Sequence, residues 1–389
     1  MDAVRAVLET AVETGVTAGA VALVRLRGEV IWHEAFGSAA LEPERREMSA
    51  ETIFDLASLT KPLVGAGVAL AMVDRGIFSL DEEVTGLLPE LTSLAGRGVT
   101  FRRLLSHSSG IPGWRPLYVE ARDRPGVLAA VNRMGLAKAP GTRFEYSDIG
   151  FMTLGLALER AGDAELGQLA SELLFEPLGL TSTGYRPAGD AGAFATTEKG
   201  NAFERRMADW ADLVFADWRT DFHPGVVNDG NTHYALDGVS AHAGLFSNAY
   251  DLGVLAEMWR NHGEWQGERV LSSAVVEQAV SDQGWGRGLG WQLMARSAPS
   301  LDELSRADAG FFPPARSAWS PRPSGELLSA SAFGHTGFTG TSIWIDPERE
   351  LCAVLLTNAT HPQVDIDKPV NSLRARFHNS VVAALDRLR

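Results

Sequence analysis

A serine and a lysine three residues apart, Ser58 and Lys61, stand at the start of a long apolar segment. If a helix begins at Ser58, positions i and i+3 share one face, so the lysine amine can reach the serine hydroxyl. A free serine is a weak nucleophile and needs a neighbouring base, either the lysine itself or a second base that the lysine keeps ionised. The pair indicates covalent catalysis, but a single Ser-x-x-Lys match also arises by coincidence and is weak alone.

Two further clusters place polar side chains next to a turn or between glycines. Segment 144–150 (Phe-Glu-Tyr-Ser-Asp-Ile-Gly) follows a Pro-Gly turn and leads into an apolar helix. Its polar residues either serve a reaction or cap the helix, as Ser147 or Asp148 would by accepting free backbone N–H groups. Segment 333–340 (Phe-Gly-His-Thr-Gly-Phe-Thr-Gly) lets a substrate lie along a strand, with its histidine and threonine as donors. A glycine-rich hairpin edge is the alternative.

The elements that must position these clusters are strands at both ends of the chain and helices between them. Helices are predicted near residues 2–13, 58–74 and 370–388, and strands at 19–27, 29–37, 286–294, 333–337, 341–345 and 351–357. This order predicts an α+β fold, an antiparallel sheet flanked by helices with an all-helical subdomain inserted. Trp285, Trp291 and Trp344 lie on these predicted strands and are expected in the core.

The expected domain boundaries follow from the same pattern. Residues 1–75 and 284–389 would form the sheet domain and residues 76–283 the mainly helical one, with the active site in the groove between them. Segment 297–329, rich in proline, serine and arginine, is predicted to be a long surface loop.

Composition narrows the class of protein. The 389 residues are 45% hydrophobic and 22% charged, which is typical of a globular chain. A net charge of -14 argues against nucleic acid and against an anionic membrane surface as partners. No secretory signal is visible at the N-terminus, and no apolar stretch approaches the ~20 residues that span a bilayer, so a cytoplasmic location is expected.

Cysteine and histidine usage gives no sign of a metal or of thiol chemistry. The single cysteine, Cys352, sits in an apolar run that predicts a buried strand, so inert packing is its expected role. The nine histidines include no pair with zinc-ligand spacing, and no phosphate-binding glycine loop is present. We therefore expect no cofactor and no metal.

Taken together, and in this order along the chain, the three clusters resemble the serine β-lactamase and penicillin-binding protein family, in its class C branch. That branch contains class C β-lactamases, D-Ala-D-Ala carboxypeptidases, D-aminopeptidases and β-lactamase-like esterases. The resemblance covers nearly the whole chain and includes segments 19–24, 104–110 and 238–247. It implies the β-lactamase/transpeptidase-like fold, with the active site between the sheet domain and the helical subdomain.

The resemblance also implies roles for individual residues. Ser58 would be the nucleophile that forms an acyl-enzyme, Lys61 its activating partner, and Tyr146 the general base and acid. The backbone N–H groups of Ser58 and Phe338 would form the oxyanion hole.

The implied substrate-binding residues are Asp148, His335, Thr336 and Gly337. By the same resemblance the segment around His107 is structural, while Asn228, Asp229, His233 and His242 either contact substrate or brace a loop.

Asp148 departs from the family pattern, which more often has asparagine at this position. An ionised carboxylate cannot donate a hydrogen bond, and beside Lys61 it should favour the ammonium form. We therefore expect Lys61 to stay charged and to act electrostatically, which leaves Tyr146 as the proton carrier. Substrates that need an amide donor here, such as acylamino β-lactams, would be disfavoured relative to esters.

These expectations lead to a cofactor-independent serine hydrolase acting through a Ser58 acyl-enzyme on esters or amides of small acyl groups, with esterase activity expected in an assay. There are two near alternatives: a β-lactamase, and a peptidase that is either a D-Ala-D-Ala carboxypeptidase or a D-aminopeptidase. The absence of an export signal weakens both alternatives. A non-catalytic binding or scaffold protein with this fold is the alternative from another class. The expected partner is a small-molecule ester, amide or β-lactam substrate.

Overall fold

Both ends of the chain contribute strands to one antiparallel sheet. The computed structural model describes residues 1–294 and 322–387. The sheet has seven strands in the order β3-β2-β1-β12-β11-β10-β9. In chain order the strands of the described part are β1 (Gly19–Leu26), β2 (Glu29–Ala40), β3 (Arg46–Glu47), β4 (Phe54–Asp55), β5 (Gly184–Tyr185), β6 (Leu245–Ser247), β7 (Glu264–Trp265), β8 (Glu268–Arg269), β9 (Gln292–Leu293), β10 (Phe333–Thr336), β11 (Ser342–Asp346) and β12 (Leu351–Thr357).

Helices cover the two faces of this sheet and fill most of the chain between its strands. They are α1 (Asp2–Glu13), α2 (Gly67–Asp74), α3 (Phe101–Leu105), α4 (Arg124–Met134), α5 (Asp148–Gly162), α6 (Leu166–Ala170), α7 (Ala202–Trp210), α8 (Gly230–Ala235), α9 (Ala249–Arg260), α10 (Ser273–Val280) and α11 (Val370–Asp386). This mixed helix and antiparallel-sheet architecture confirms the predicted fold class. The boundaries drawn near residues 75 and 284 stay a prediction.

The centre of the sheet is the pairing of the first long strand with the last. β1 and β12 run antiparallel, from Ala20 opposite Thr357 to Leu26 opposite Leu351. β12 is buried along its whole length, and so is nearly all of β1, because α1 and α11 cover one face of the sheet and α9 lies on the other. Burial on both faces explains why these strands read as continuous apolar runs rather than as alternating ones. Cys352 on β12 is fully buried, as the sequence predicted.

The helix that carries the Ser-x-x-Lys pair runs through the core. A 3-10 turn (Ala57–Leu59) and a π-helical stretch (Lys61–Ala66) precede α2. By length and composition the segment Ala57–Asp74 would suffice to cross a membrane, contrary to the expectation from the sequence, but 83% of it is buried inside the protein. A helix buried to this extent is typical of a protein core.

The predicted strand at 286–294 is mostly wrong. Only Gln292–Leu293 pairs as a strand, and Gly286 and Gly290 adopt positive φ angles of 69° and 81°. At Gly288 a Cβ atom would lie 2.0 Å from the carbonyl oxygen of Ala279, so glycine is required for this close approach. The glycines thus shape a turn packed on α10 rather than a strand edge.

Two other sequence predictions concern the same region. Trp291 and Trp344 are buried as predicted, whereas Trp285 is 43% exposed at φ +57°, so its assignment to the core was wrong. Most of the loop predicted at 297–329 lies outside the described residues, which resume at residue 322.

Candidate active site

Ser58 is presented on a strained turn just after β4. Ala57 holds φ +47°, a left-handed conformation that costs a non-glycine residue about 1–2 kcal/mol. Its backbone N–H donates to Oδ1 of Asp55 at 2.9 Å, which stabilises the turn. The other oxygen, Oδ2, accepts from the backbone N–H of Asn228 at 2.7 Å. Asp55 therefore links the nucleophile turn to the distant segment around Asn228.

Lys61 lies beneath Ser58 with its ammonium group fully enclosed. Its Nζ donates to Ser58 Oγ at 2.9 Å and to the carbonyl oxygen of His242 at 3.1 Å, and it lies 2.6 Å from Asp148 Oδ1. Burial by itself would lower the pKa of Lys61, but Asp148 and Tyr146 outweigh burial and raise the pKa above its usual value. Lys61 is thus held as an ammonium, the state that the Asp148 substitution led us to expect.

Tyr146 and Asp148 are positioned by the start of α5. Ser147 is the N-cap, and its Oγ accepts from the backbone N–H of Gly150 at 2.8 Å. Capping by Ser147 leaves the Asp148 carboxylate available to Lys61, so the helix-cap and active-site interpretations of this cluster are compatible. The Lys61 Nζ lies 4.9 Å from the centroid of the Tyr146 ring.

His107 supports this tyrosine from behind. Its ring centroid lies 4.5 Å from that of Tyr146, and its Nδ1 accepts the backbone N–H of Ser147 at 3.0 Å. Burial, together with the charges of Arg287 and Lys61, lowers the pKa of His107 well below its usual value, so the ring is neutral. The histidine therefore fixes the loop that carries Tyr146, in keeping with the structural role expected of it.

The turn between β10 and β11 packs directly on the nucleophile turn. A Cβ atom at Gly337 would lie 2.3 Å from the carbonyl oxygen of Leu56, so only glycine permits this approach. Arg374 of α11 donates to the carbonyl oxygen of Gly337 at 2.6 Å and to that of Thr341 at 3.1 Å. Burial lowers the pKa of Arg374 to about 9. This arginine fixes the backbone on either side of Phe338.

The two predicted oxyanion-hole donors are both available. Throughout residues 1–294 and 322–387, the backbone N–H groups of Ser58 and Phe338 make no hydrogen bond to another group of the protein. Thr336 is half-buried beside them, and β10 packs on the Ala57–Leu59 turn. Backbone donors held in this way can stabilise an oxyanion without reorganising.

His335 does not have the donor role that the sequence suggested for it. Its Nδ1 lies 2.8 Å from the carbonyl oxygen of Thr336, which can only accept, so Nδ1 carries the proton and Nε2 is an acceptor. Burial, with the charges of Arg287 and Lys61, lowers the pKa of His335 well below its usual value. The neutral ring stacks 6.1 Å from Tyr146 and lines the site rather than donating to a substrate.

His242 and Asp229 brace the floor of the site. Nε2 of His242 lies 2.9 Å from Asp229 Oδ1, and its Nδ1 lies 2.7 Å from Ser240 Oγ. Because the carbonyl oxygen of His242 accepts from Lys61, this network fixes one of the three partners of the ammonium group. The contacts of Asp229 and His242 favour bracing over substrate contact. His233 is only partly buried on α8, and its ring packs 4.6 Å from that of Tyr234.

Asn228 stands among several buried carboxyl groups. Burial raises the pKa of Asp55 to about 6, of Glu198 to about 7 and of Glu204 to about 8. Glu198 Oε2 accepts the backbone N–H of Phe203 at 2.8 Å, and Glu204 Oε1 accepts that of Gly230 at 2.8 Å. Within the described part of the chain, no group of three or more His, Cys, Asp or Glu residues is arranged to hold a metal ion.

The parent protein should lose stability between about pH 4.5 and 8, as Glu198 ionises. Replacing Glu198 by glutamine is expected to make this loss smaller. The folded pKa of about 7 exceeds the unfolded value, so the contribution of Glu198 is complete below the unfolded pKa and declines as pH rises through 7. At pH 8.5 the variant should be more stable by about 3 kcal/mol, because glutamine still accepts the N–H of Phe203 without carrying a buried charge. Urea unfolding from pH 5 to 8.5 measures this. The exposed Glu172→Gln is the matched control, and an unchanged pH slope in Glu198→Gln would contradict the assignment.

The site contains residues that the sequence did not single out. Asp55 and Arg374 act through backbone contacts with segments far along the chain, for which no local pattern exists. Arg287, with its guanidinium 4.9 Å from the ring of Phe144, adds a second cation that acts on Tyr146. Arg287 lies in the glycine-rich segment for which the sequence predicts a strand.

Comparisons with known proteins show which family and fold this chain resembles. Residues 4–376 match the family model described as Beta-lactamase. The chain is 30% identical over 380 residues to an N-acetylmuramyl-L-alanine amidase of Bacillus subtilis (strain 168), covering 91% of this chain and 80% of that one. It is 27% identical over 375 residues to a protein of Escherichia coli (strain K12) named as a D-alanyl-D-alanine carboxypeptidase, covering 88% and 79%. A class C beta-lactamase structure from Rhodobacter sphaeroides superposes with a TM-score of 0.70 at 21% identity, covering 98% and 100%.

Proposed function

The chain belongs to the beta-lactamase family, and from that premise we propose that it is a serine hydrolase that cleaves esters or amides of small acyl groups through an acyl-enzyme on Ser58. The observation that carries the proposal is the contact of the buried Lys61 ammonium with Ser58 Oγ at 2.9 Å, held by Asp148 at 2.6 Å. A hydrolase that works without a metal needs an ordered nucleophile and a balanced charge for its base, and this arrangement supplies both.

Acylation begins with attack of Ser58 Oγ on the substrate carbonyl carbon. Tyr146, as a phenolate whose charge the Lys61 ammonium balances, accepts the hydroxyl proton of Ser58. The carbonyl oxygen becomes an oxyanion that accepts from the backbone N–H groups of Ser58 and Phe338. The bond to the leaving nitrogen or oxygen then breaks as that atom takes the proton from Tyr146. Lys61 remains an ammonium throughout, because its raised pKa keeps its proton in place.

Deacylation repeats these steps with water. Tyr146 accepts a proton from the water molecule as its oxygen attacks the acyl carbon, and Ser58 Oγ regains the proton as the ester bond breaks. His107 and the cap at Ser147 hold Tyr146 in place for both halves of the reaction. The acid is released, and the free enzyme returns to its starting state.

For the natural substrate we favour an amide of a cell-wall peptide over a β-lactam. The amidase relative is named for N-acetylmuramyl-L-alanine, and the E. coli relative for D-alanyl-D-alanine. Asp148 Oδ1 is committed to Lys61, and the carboxylate offers no N–H to the acylamino group of a β-lactam. Esters remain the simplest assay substrates, because any enzyme with a reactive serine accepts an activated acyl donor.

A scaffold protein is the remaining alternative, and it would have no use for a charged lysine buried beneath the half-buried Ser58. A buried ammonium costs several kcal/mol of desolvation unless it is paired, and here its partners are catalytic groups. The intact site therefore favours turnover.

A serine-directed phosphonate is expected to label one residue, Ser58, and to abolish hydrolysis of nitrophenyl acetate in proportion. Intact-mass and peptide mass spectrometry measure the adduct, and rates with the ester, a chromogenic cephalosporin and a muramyl dipeptide rank the substrate classes. Ser93→Ala, which changes an exposed serine, is the control for Ser58→Ala. No adduct and no turnover above the Ser58→Ala blank would favour the scaffold alternative, whereas efficient opening of the cephalosporin would make β-lactamase the better name.

A further inference from the structure

A cavity of about 670 Å³ lies next to the active site, and the reaction does not use it. One wall is a face of α7, where the spacing i, i+4, i+7 aligns Phe203, Met207 and Trp210. The opposite wall is the loop between β12 and α11, with Val364 and Ile366. A cavity of this volume falls in the ordinary range for small-molecule sites.

The cavity adjoins the reacting groups through two contacts. The ring of Phe203 lies 5.5 Å from that of Phe338, whose backbone N–H is the oxyanion donor. Phe203 also shares a buried apolar cluster with Trp114. The residue before Trp114, Gly113, accepts the backbone N–H of Asp148 at 2.8 Å. A ligand in the cavity would therefore contact Phe203, whose ring packs on the oxyanion turn.

The chemistry of the lining is both aromatic and polar. Trp210 lines the cavity and is 62% exposed, which is unusual for so large an aromatic side chain. Around the apolar walls stand Arg206, Lys368, Gln363 and Asp365, which together offer donors and acceptors. The Arg206 guanidinium is oriented by the carbonyl oxygen of Val364 at 3.3 Å.

We propose that this cavity binds a sugar ring, the N-acetylated muramyl unit of the substrate, and so determines which amides are cleaved. A pyranose ring presents a face of C–H groups that packs on an aromatic ring, while its hydroxyl and acetamido groups need donors and acceptors around the edge. Trp210 supplies the aromatic ring, and the four polar side chains supply the donors and acceptors. This inference rests on the proposed function, because it requires a serine hydrolase that acts on a muramyl amide.

Other occupants fit the lining less well. A plain acyl chain would use the apolar walls but would make no hydrogen bond to the four polar side chains of the rim. A strongly anionic ligand would meet Asp365 alongside Arg206 and Lys368. A neutral ligand with several hydroxyl groups satisfies donors and acceptors of both signs.

Binding to the inactive Ser58→Ala protein tests the cavity separately from turnover. Calorimetry should show that N-acetylmuramyl-L-alanyl-D-isoglutamine binds at least tenfold more tightly than D-lactyl-L-alanyl-D-isoglutamine, which lacks the sugar. Adding Trp210→Ala should remove this difference by weakening only the sugar-bearing ligand, whereas Trp210→Phe should keep part of it. Val214→Ala, at an 88% exposed side chain outside the cavity, is the matched control and should keep all of it.

The outcomes separate the inference from the proposed function. Three results would overturn the sugar site: equal affinity for the two ligands, no binding of either ligand, or a Trp210→Ala effect that is the same for both ligands. In the protein with intact Ser58, Trp210→Ala should raise KM for the muramyl amide about tenfold, whereas Val214→Ala should leave this KM unchanged. If the ester is cleaved but neither amide is, the proposal of an amide substrate is wrong. The binding measurements alone then decide whether the cavity holds a sugar.

Discussion

Substitution of Lys61 by methionine is expected to lower kcat/KM for ester and amide substrates alike by about 10³-fold while the protein stays folded. Methionine nearly matches the length and volume of lysine, and the lysine side chain is fully buried, so the core remains filled. The change removes the cation that donates to Ser58 Oγ and balances the charge of Tyr146. Because these interactions are needed in every transition state, kcat should fall on all substrates.

Steady-state kinetics on nitrophenyl acetate and the muramyl dipeptide, together with circular dichroism, measure this effect. Lys199→Met removes an exposed lysine whose ammonium lies 5.9 Å from the centroid of the Phe222 ring, and it should leave kcat/KM within twofold of the parent. A loss below tenfold for Lys61→Met would mean that the ammonium group does not assist proton transfer. Retention of phosphonate labelling at the parental rate would lead to the same conclusion.

The sequence predicted the contact between Ser58 and Lys61, because their arrangement is local. Ser58 and Lys61 are brought together by a single turn of helix, so their spacing alone indicates the contact that the structure shows at 2.9 Å. Ser147 and Asp148 occupy the first positions of α5, and capping chemistry explains the serine. The aspartate at position 148 also predicts a charged Lys61, which the raised pKa of Lys61 supports.

The supporting contacts could not be predicted, because they join segments far apart in the chain. Asp55 meets Asn228 across 173 positions, and Arg374 meets Gly337 across 37. In each case one partner is a backbone group, which every residue possesses, so no residue pattern marks the contact. His335 shows a further limit, since the tautomer of its ring depends on a carbonyl oxygen whose position only the fold determines.

The error at 286–294 has a different origin. Alternating glycines and apolar residues suit both an extended strand and a tight turn, and composition does not distinguish them. The close approach of Gly288 to α10, together with the positive φ angles of Gly286 and Gly290, decides in favour of the turn. That turn also places Arg287 beside the ring of Phe144 and next to Tyr146, so the misread segment contributes a charge to the site.

Replacing Asp148 by asparagine is expected to destabilise the protein by about 3–5 kcal/mol at pH 7, because it removes the carboxylate that pairs with the buried Lys61 ammonium. Once the carboxylate is gone, only Tyr146 still opposes burial, and we expect burial to bring the pKa of Lys61 below its usual value. The parent protein keeps the contribution of this ion pair at all pH values below the unfolded pKa of lysine and loses it only as pH rises through the raised folded pKa. Between pH 7 and 9 the parent should therefore show no pH dependence from Lys61.

The variant should behave in the opposite way, and the two readouts should diverge. With a lowered folded pKa, the unfolded state binds the extra proton, so the stability of Asp148→Asn rises as pH is raised from 7 to 9. Over the same interval its kcat/KM should fall, because hydrolysis needs the ammonium form of Lys61 that the variant is losing. Urea unfolding and ester hydrolysis at matched pH values measure the two trends, with Asp237→Asn, which breaks an exposed pair with Arg186, as the control that should change neither. If the activity of Asp148→Asn instead increased with pH alongside its stability, neutral Lys61 would be the general base, and the assignment of Tyr146 as the proton carrier would be wrong.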